Sequence, residues 1–335
     1  MTNATHAKTG ILIANLGTPD STGYWDMRRY LSEFLSDQRV IDSPRWKWQP
    51  ILQLIVLTKR PFSSGAAYRS IWNNDADESP LLTITRAQSE KLQSAMADRF
   101  GNSVLVEFCM RYGNPSTESK LQKLIDAGCT RIVFFPLYPQ YAGATTGTAN
   151  DQLFRALQKI KFQPDLRTIG AYFEHPKFAA ALAASITQAY DQLSAKPEVL
   201  VASYHGLPQR YIDEGDPYYE HCIATTRAVR EQLGWNDGQI VTAFQSKFGP
   251  TEWIKPATVD LVADLARQGR KSIAVFAPAF SADCIETLEE INEEIADSFK
   301  AAGGEEFTYI ACLNAGDDHI DMMADIVADN IQGWV

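Results

Sequence analysis

Eight short apolar runs punctuate the chain, at 10–16, 104–108, 131–137, 166–172, 198–204, 239–244, 272–277 and 307–312. Each is rich in β-branched or aromatic residues and bounded by Gly, Pro or polar positions, which is the pattern of a strand. The runs are continuous rather than alternating, which suits parallel strands covered on both faces. Stretches of helical period lie between them, at 83–100, 116–127, 176–193, 218–233 and 256–268. The second opens on Ser116, a good N-cap residue, and Gly101, Gly128, Gly234 and Gly269 stand just past four of the five. Strand–helix alternation of this kind predicts βαβ units with right-handed crossovers.

The eight runs fall into two sets of four. The first run of each set leads into a similar turn, Asn15-Leu16-Gly17-Thr18-Pro19 in one and Tyr204-His205-Gly206-Leu207-Pro208 in the other, and the third-to-fourth spacing is alike. This reads as a structural duplication. The copies differ between their first and second runs, where the first half carries roughly 50 extra residues between Leu35 and Pro80. The insertion is apolar around Trp46, Trp48, Ile51, Leu52 and Ile55, with Arg45, Lys47, Lys59 and Arg60 beside it. It is too short to span a bilayer. Two readings stand: a helix docked on the core, or an exposed lip that meets a membrane surface or covers a flat apolar ligand.

Composition narrows the class. The chain has 335 residues, enough for about two domains. Its 31 basic and 41 acidic residues give a net charge of −10, which argues against nucleic acid as a partner. The five cysteines, Cys109, Cys129, Cys222, Cys284 and Cys312, show no zinc or iron–sulfur spacing, so a reducing, cytoplasmic setting is expected. The first ten residues contain no signal-peptide apolar core, and no run is long enough for a membrane-spanning helix.

In open parallel sheets, ligands bind at the carboxyl ends of strands. The residues just past the runs are therefore the candidates. They include Leu16, Arg111, Tyr112, Tyr138, Tyr141, Trp253 and Phe280, an aromatic-rich set that could line a slot for a large flat ligand, or could equally be core. His205 is the one histidine directly at a strand end beside a glycine turn. Glu286, Glu290 and Glu294 recur every four residues, so an α-helix would put them on one face. That row is either a path for a divalent cation or a solvated acidic face. Imidazole with carboxylate suits iron(II) or zinc, and equally suits proton transfer near neutral pH.

At these residues the sequence resembles the ferrochelatases, which insert iron(II) into a porphyrin. The matching segments are Arg111-Tyr-Gly-Asn-Pro115, Tyr138-Pro-Gln-Tyr-Ala-Gly-Ala-Thr-Thr-Gly147, Tyr204-His-Gly-Leu-Pro208, Phe244-Gln-Ser-Lys-Phe-Gly-Pro-Thr-Glu-Trp253 and Pro278-Ala-Phe-Ser-Ala-Asp-Cys-Ile-Glu-Thr-Leu-Glu-Glu290. The resemblance implies an α/β fold of two similar Rossmann-like domains. Each would hold a four-stranded parallel sheet with helices on both faces, and a ligand cleft would lie between them. The expected domains are 1–170 plus 313–335, with the lip insertion at about 40–80, and 171–312, with the histidine and the acidic helix. The resemblance implies insertion of ferrous iron into protoporphyrin IX to form protohaem. It makes His205 and Glu286 catalytic, and His205, Glu286, Glu290 and Glu294 the metal-handling groups. Leu16, Arg111, Tyr112, Tyr138, Tyr141 and Trp253 would contact porphyrin, and the stretch around Trp46, Trp48, Ile51, Leu52 and Ile55 would be the lip.

Iron is then a substrate, and no resident cofactor or iron–sulfur cluster is expected, because the chain lacks a cysteine-rich tail. The expected location is the cytoplasm, peripherally at the inner face of the cell membrane. Cys284 stands where several members carry a second histidine, which puts any role of that side chain in doubt. Two rivals stay open: a chelatase for coproporphyrin or another tetrapyrrole, and a non-catalytic two-lobed haem- or metal-binding protein. The few basic residues among the candidates, Arg111, Lys247 and Arg69, favour the less carboxylated protoporphyrin.

Overall fold

In the computed structural model the described residues are 8–335; the leading segment, in which no signal peptide is read, lies outside them. The chain divides into two compact units. Unit 1 comprises the residues up to Leu137 together with Gly143–Gly170 and Ala315–Val335, and unit 2 comprises Tyr138–Ala142 and Ala171–Asn314.

Unit 1 is built on β1 (Lys8–Thr18), β2 (Val104–Gly113), β3 (Cys129–Pro136) and β4 (Asp165–Thr168), all parallel, in the order β2-β1-β3-β4. Unit 2 repeats that order with β5 (Val199–His205), β6 (Ile240–Gln245), β7 (Ser272–Phe276) and β8 (Glu306–Ile310), as β6-β5-β7-β8. The shared order is the duplication anticipated from the turn motif. Ile11, Leu12 and Ile13 are all fully buried, as are Phe134 and Phe135. Consecutive residues point to opposite faces of a sheet, so both faces are covered. Each such side chain stabilises the fold by about 1.5–3 kcal/mol.

The repeated x-x-Gly-x-Pro motif has a steric cause. A Cβ at Gly17 would lie 1.9 Å from the Tyr112 carbonyl oxygen, and one at Gly206 would lie 2.8 Å from that of Gln245. In each unit the first strand passes the backbone of its neighbour too closely for any side chain at this point. Gly17 also has φ +115°, in the left-handed region.

The strand expected at 104–108 runs on to Gly113, so that Arg111 and Tyr112 lie within it, and three further local expectations differ from the structure. The strand expected at 166–172 ends at Thr168; Ile169 N–H still donates to the Phe134 carbonyl (2.9 Å), after which the chain crosses to unit 2 at Ala171. The apolar residues beyond serve the packing of a loop: Ile169 and Tyr172 are both buried. The helix expected from Thr83 begins earlier, at Pro80, with the Ser79 hydroxyl accepting from Leu82 N–H. Ser followed by Pro is an N-cap and first-turn signal that the apolar period alone does not show. The acidic helix is the third, treated with the site below.

The insertion forms a helical run, Arg45–Ile51, a π-helical turn Leu52–Val56, and Leu57–Ile71. Proline at 61 has no N–H to offer the carbonyl four residues back. That carbonyl, on Leu57, accepts instead from the Tyr24 hydroxyl and Arg28 Nη1, both at 3.1 Å. Trp46, Ile51, Leu54, Ile55 and Phe62 are exposed. Trp48 and Leu52, expected on the lip, turn inward: Leu52 is fully buried, and Trp48 Nε1 donates to the Leu35 carbonyl at 2.6 Å. Leu35 ends the helix Tyr24–Leu35, where carbonyls lack helical partners, so the indole caps it.

Candidate functional site

His205 is the last residue of β5 and pairs in register with Gln245, the last of β6. Its Nδ1 lies 2.7 Å from the Gly206 carbonyl oxygen. A carbonyl can only accept, so Nδ1 carries the hydrogen and the neutral ring keeps its lone pair on Nε2. The half-buried Trp253 packs over the same turn, pairing with Pro208 and standing 3.2 Å from where a Gly206 Cβ would be. Its indole N–H is buried with no acceptor among the described residues.

The next strand end presents Ser246 at φ +63°, a conformation that costs a non-glycine residue energy. It aims two donors at one carboxylate: Ser246 N–H and Oγ each lie 2.6 Å from Glu290 oxygens. Gln245 Nε2 adds a contact to Glu290 (3.3 Å) and a bond to the Glu286 carbonyl (2.7 Å). Burial lifts the Glu290 carboxyl above its usual range, and neighbouring Glu286 adds to the rise; the Ser246 hydroxyl and the charge of His205 oppose it. Imidazole and acidic segment therefore interact electrostatically within unit 2, through Glu290.

The acidic segment is π-helical over Glu286–Ile295, not α-helical as the four-residue spacing predicts. Its i→i+5 pattern changes which residues stack, and π-helical turns cluster at functional sites. Its entry is pinned by buried Asp283, whose carboxylate accepts from the hydroxyls of Tyr309 (2.5 Å) and Thr287 (3.1 Å) and from Asn314 Nδ2 (2.7 Å). Glu286 and Glu290 are half-buried, whereas Glu294 is exposed. Among the described residues no three His, Cys, Asp or Glu side chains converge closely enough to hold a metal ion. The four expected metal-handling residues are thus not gathered into a cage: Glu290 is engaged by Ser246, and Glu294 points to solvent. Glu289, which belongs to the neighbouring row, is pushed up to about 7 by burial and by the four carboxylates around it. Cys284 is buried, which raises its thiol well above the ordinary value and keeps it protonated at neutral pH.

In unit 1 the expected porphyrin-contacting pair is committed elsewhere. Arg111 is 5% exposed and Tyr112 fully buried, and both donate to Asp37, Arg111 through a short charged contact and the Tyr112 hydroxyl at 2.9 Å. The Thr148 hydroxyl reaches the same oxygen of Asp37, and Arg111 Nε donates to Thr148 Oγ1 (2.8 Å). A cavity of about 900 Å³ opens beside this cluster. It brings six arginines, Arg111 among them, against Glu33, Asp37 and Asp151, with Trp25 its one aromatic. It is a charged hollow, unlike the aromatic slot expected from the strand ends. Leu16 is half-buried at the end of β1. In unit 2, Tyr138 is buried, while Tyr141 is half-buried with its N–H on His221 Nδ1 (3.2 Å). Asp37 and His221 carry no signal in the sequence, since their partners lie 74 and 80 positions away.

The structure resembles SirB from Bacillus subtilis with Fe3+, at a TM-score of 0.57, 10% identity, and coverage of 97% of this chain and 98% of that one. At that identity the likeness is one of fold. The sequence comparisons reach further. The profile of the Ferrochelatase family matches residues 8–331. A Ferrochelatase of Rhodobacter capsulatus is 59% identical over 98% of this chain and 94% of that protein. One from a Chelativorans species is 53% identical over 98% and 92%. With parallel α/β units, a strand-end histidine and an acidic π-helix already in place, the chain belongs to the ferrochelatase family, enzymes that insert iron into porphyrin.

Proposed function

We propose that the chain inserts ferrous iron into protoporphyrin IX to form protohaem, with His205 as proton acceptor and Glu286 assisting metal delivery. The observation that carries the reading is the tautomer of His205. Metallation must remove two protons from pyrrole nitrogens that face the space the metal takes. A neutral imidazole with its lone pair on Nε2 takes these protons one at a time, releasing the first to solvent before accepting the second, and Nδ1 is fixed by the Gly206 carbonyl. The macrocycle also has to bend so that nitrogen lone pairs leave its plane, and contacts remote from the reacting nitrogens drive that distortion. Glu286 is half-buried and sits one helical step from Glu290, whose carboxylate is stabilised by the charge His205 gains when it takes a proton. A carboxylate there helps a hydrated divalent cation shed water, and Glu290 and Glu294 extend the acidic path outward.

Fluorescence-monitored zinc insertion tests the substrate. Protoporphyrin should be metallated with a higher kcat/KM than coproporphyrin. A preference for coproporphyrin would overturn that choice, and stoichiometric binding without metalloporphyrin beyond the non-enzymatic rate would overturn catalysis.

The exposed side chains of Trp46, Ile51, Leu54, Ile55 and Phe62, with Arg45 and Lys47 beside them, support a peripheral contact with an anionic membrane surface at the cytoplasmic face. No helix among the described residues is long and apolar enough to cross a membrane. The chain should co-sediment with vesicles rich in anionic lipid, and a Trp46→Ser/Leu54→Ser/Ile55→Ser variant should remain in the supernatant. Equal sedimentation of the two would remove the lip from the contact.

A further inference from the structure

The 138–142 loop leaves β3 and is held within unit 2 by three grips. The Pro139 carbonyl accepts the N–H groups of Tyr172 (2.9 Å) and Phe173 (3.1 Å). Gln140 Nε2 donates to Thr225 Oγ1 (2.9 Å) and to the Pro278 carbonyl (3.4 Å). Tyr141 N–H donates to His221 Nδ1. His221 and Thr225 lie one turn apart on the helix Tyr218–Leu233, and the Thr225 hydroxyl donates to the His221 carbonyl (2.8 Å). The imidazole is stacked on Phe173, with ring centroids 4.0 Å apart and planes at 23°.

We propose that His221 is a positioning residue for porphyrin binding, holding Tyr141 in place only while its ring is neutral. The proposal rests on reading Tyr141 as part of the porphyrin wall. A backbone N–H can only donate, so Nδ1 must carry a lone pair and the hydrogen must sit on Nε2. This is the opposite tautomer to His205. Charging the ring would set N–H against N–H and break the bond. Burial lowers the affinity of His221 for a proton, while Glu174, preceding the helix Pro176–Asp191, and Asp216, preceding its own helix, raise it; burial prevails. The grip therefore holds through neutral pH and is lost on the acid side. The Pro139 and Gln140 grips do not titrate, so the loss is confined to Tyr141.

The test measures kcat and KM for protoporphyrin from about pH 5 to about 8 in the wild type and in His221→Asn, His221→Leu and Tyr141→Leu, with folding followed by thermal unfolding. Wild-type KM should rise on the acid side. His221→Asn, whose amide oxygen can take the Nδ1 position and does not titrate, should keep a flat KM. His221→Leu should raise KM roughly fivefold at every pH, the loss of one hydrogen bond. An acid rise retained in His221→Asn overturns the proposal. So does wild-type KM in His221→Leu while Tyr141→Leu shifts it. If Tyr141→Leu also leaves KM unchanged, the wall reading fails first and the proposal with it. Should the Leu variant fail to fold, the His221→Asn profile decides alone.

Discussion

Replacing His205 with alanine should lower kcat for zinc or iron insertion by roughly 10²–10⁴-fold, the range supplied by a positioned proton acceptor, while porphyrin still binds. His205 is half-buried at the end of β5, so truncation leaves the strand and the Gly206 turn intact. A second variant separates the proton from the shape. His205→Asn keeps a donor for the Gly206 carbonyl but has no nitrogen lone pair, so it should be as slow as alanine. Metal insertion followed by fluorescence, alongside porphyrin binding followed by quenching of the tryptophans, reads both. Wild-type turnover in either variant would remove His205 from proton transfer.

Asp37→Ala should cost about 3–5 kcal/mol of folding stability, because it leaves buried Arg111 with only the exposed carboxylate of Glu33, 3.8 Å away, as an ionic partner. The Asp37 and Arg111 side chains are 7% and 5% exposed, and Thr148 and Tyr112 converge on the same carboxylate oxygen. Pairing the change with Arg111→Met should recover much of the loss, since no charge is then left unpaired. Denaturant unfolding of the single and double variants checks this; additive losses would mean that the pair is not coupled. The pH dependence has a definite sign. Burial pushes the Asp37 carboxyl up, but the Thr148 hydroxyl, the Arg39 backbone N–H, the Arg111 charge and the Tyr112 hydroxyl together hold it below its ordinary value of 3.8. The unfolded chain therefore takes up the proton first as pH falls. The stabilisation is complete above about pH 4 and disappears below it, as pH drops through the lower folded value. In Asp37→Ala that acid step should be absent.

The fold was legible because its signals are local. Runs such as 10–16 and 131–137 are apolar at all but one position, Asn15 and Arg131, since both faces of the sheet are covered, and Gly17 and Gly206 recur because each first strand crowds its neighbour. The site was legible where a residue's place follows from the strand it ends, as for His205. It was not legible where a side chain's partner lies far along the chain. Arg111 lies inside β2, which runs on to Gly113, rather than past the strand's end, and its direction is set by Asp37, 74 residues earlier. The four-residue spacing of the acidic row predicts an α-helix, and the π-helical winding of Glu286–Ile295, with Asp283 pinned at its entry, has no marker in that spacing.

Alternating apolar and helical segments, glycine at the two close approaches and a histidine one residue before the second of them were enough to establish a duplicated parallel α/β chain with an imidazole at the carboxyl end of a strand. Folding settled the chemistry of each group. The Gly206 carbonyl puts the hydrogen of His205 on Nδ1, and the Tyr141 N–H puts that of His221 on Nε2. Ser246 takes up Glu290, leaving Glu294 in water. Backbone geometry follows from near neighbours in the chain, whereas the protonation and orientation of a polar side chain follow from whichever donors and acceptors three-dimensional packing brings within hydrogen-bonding reach.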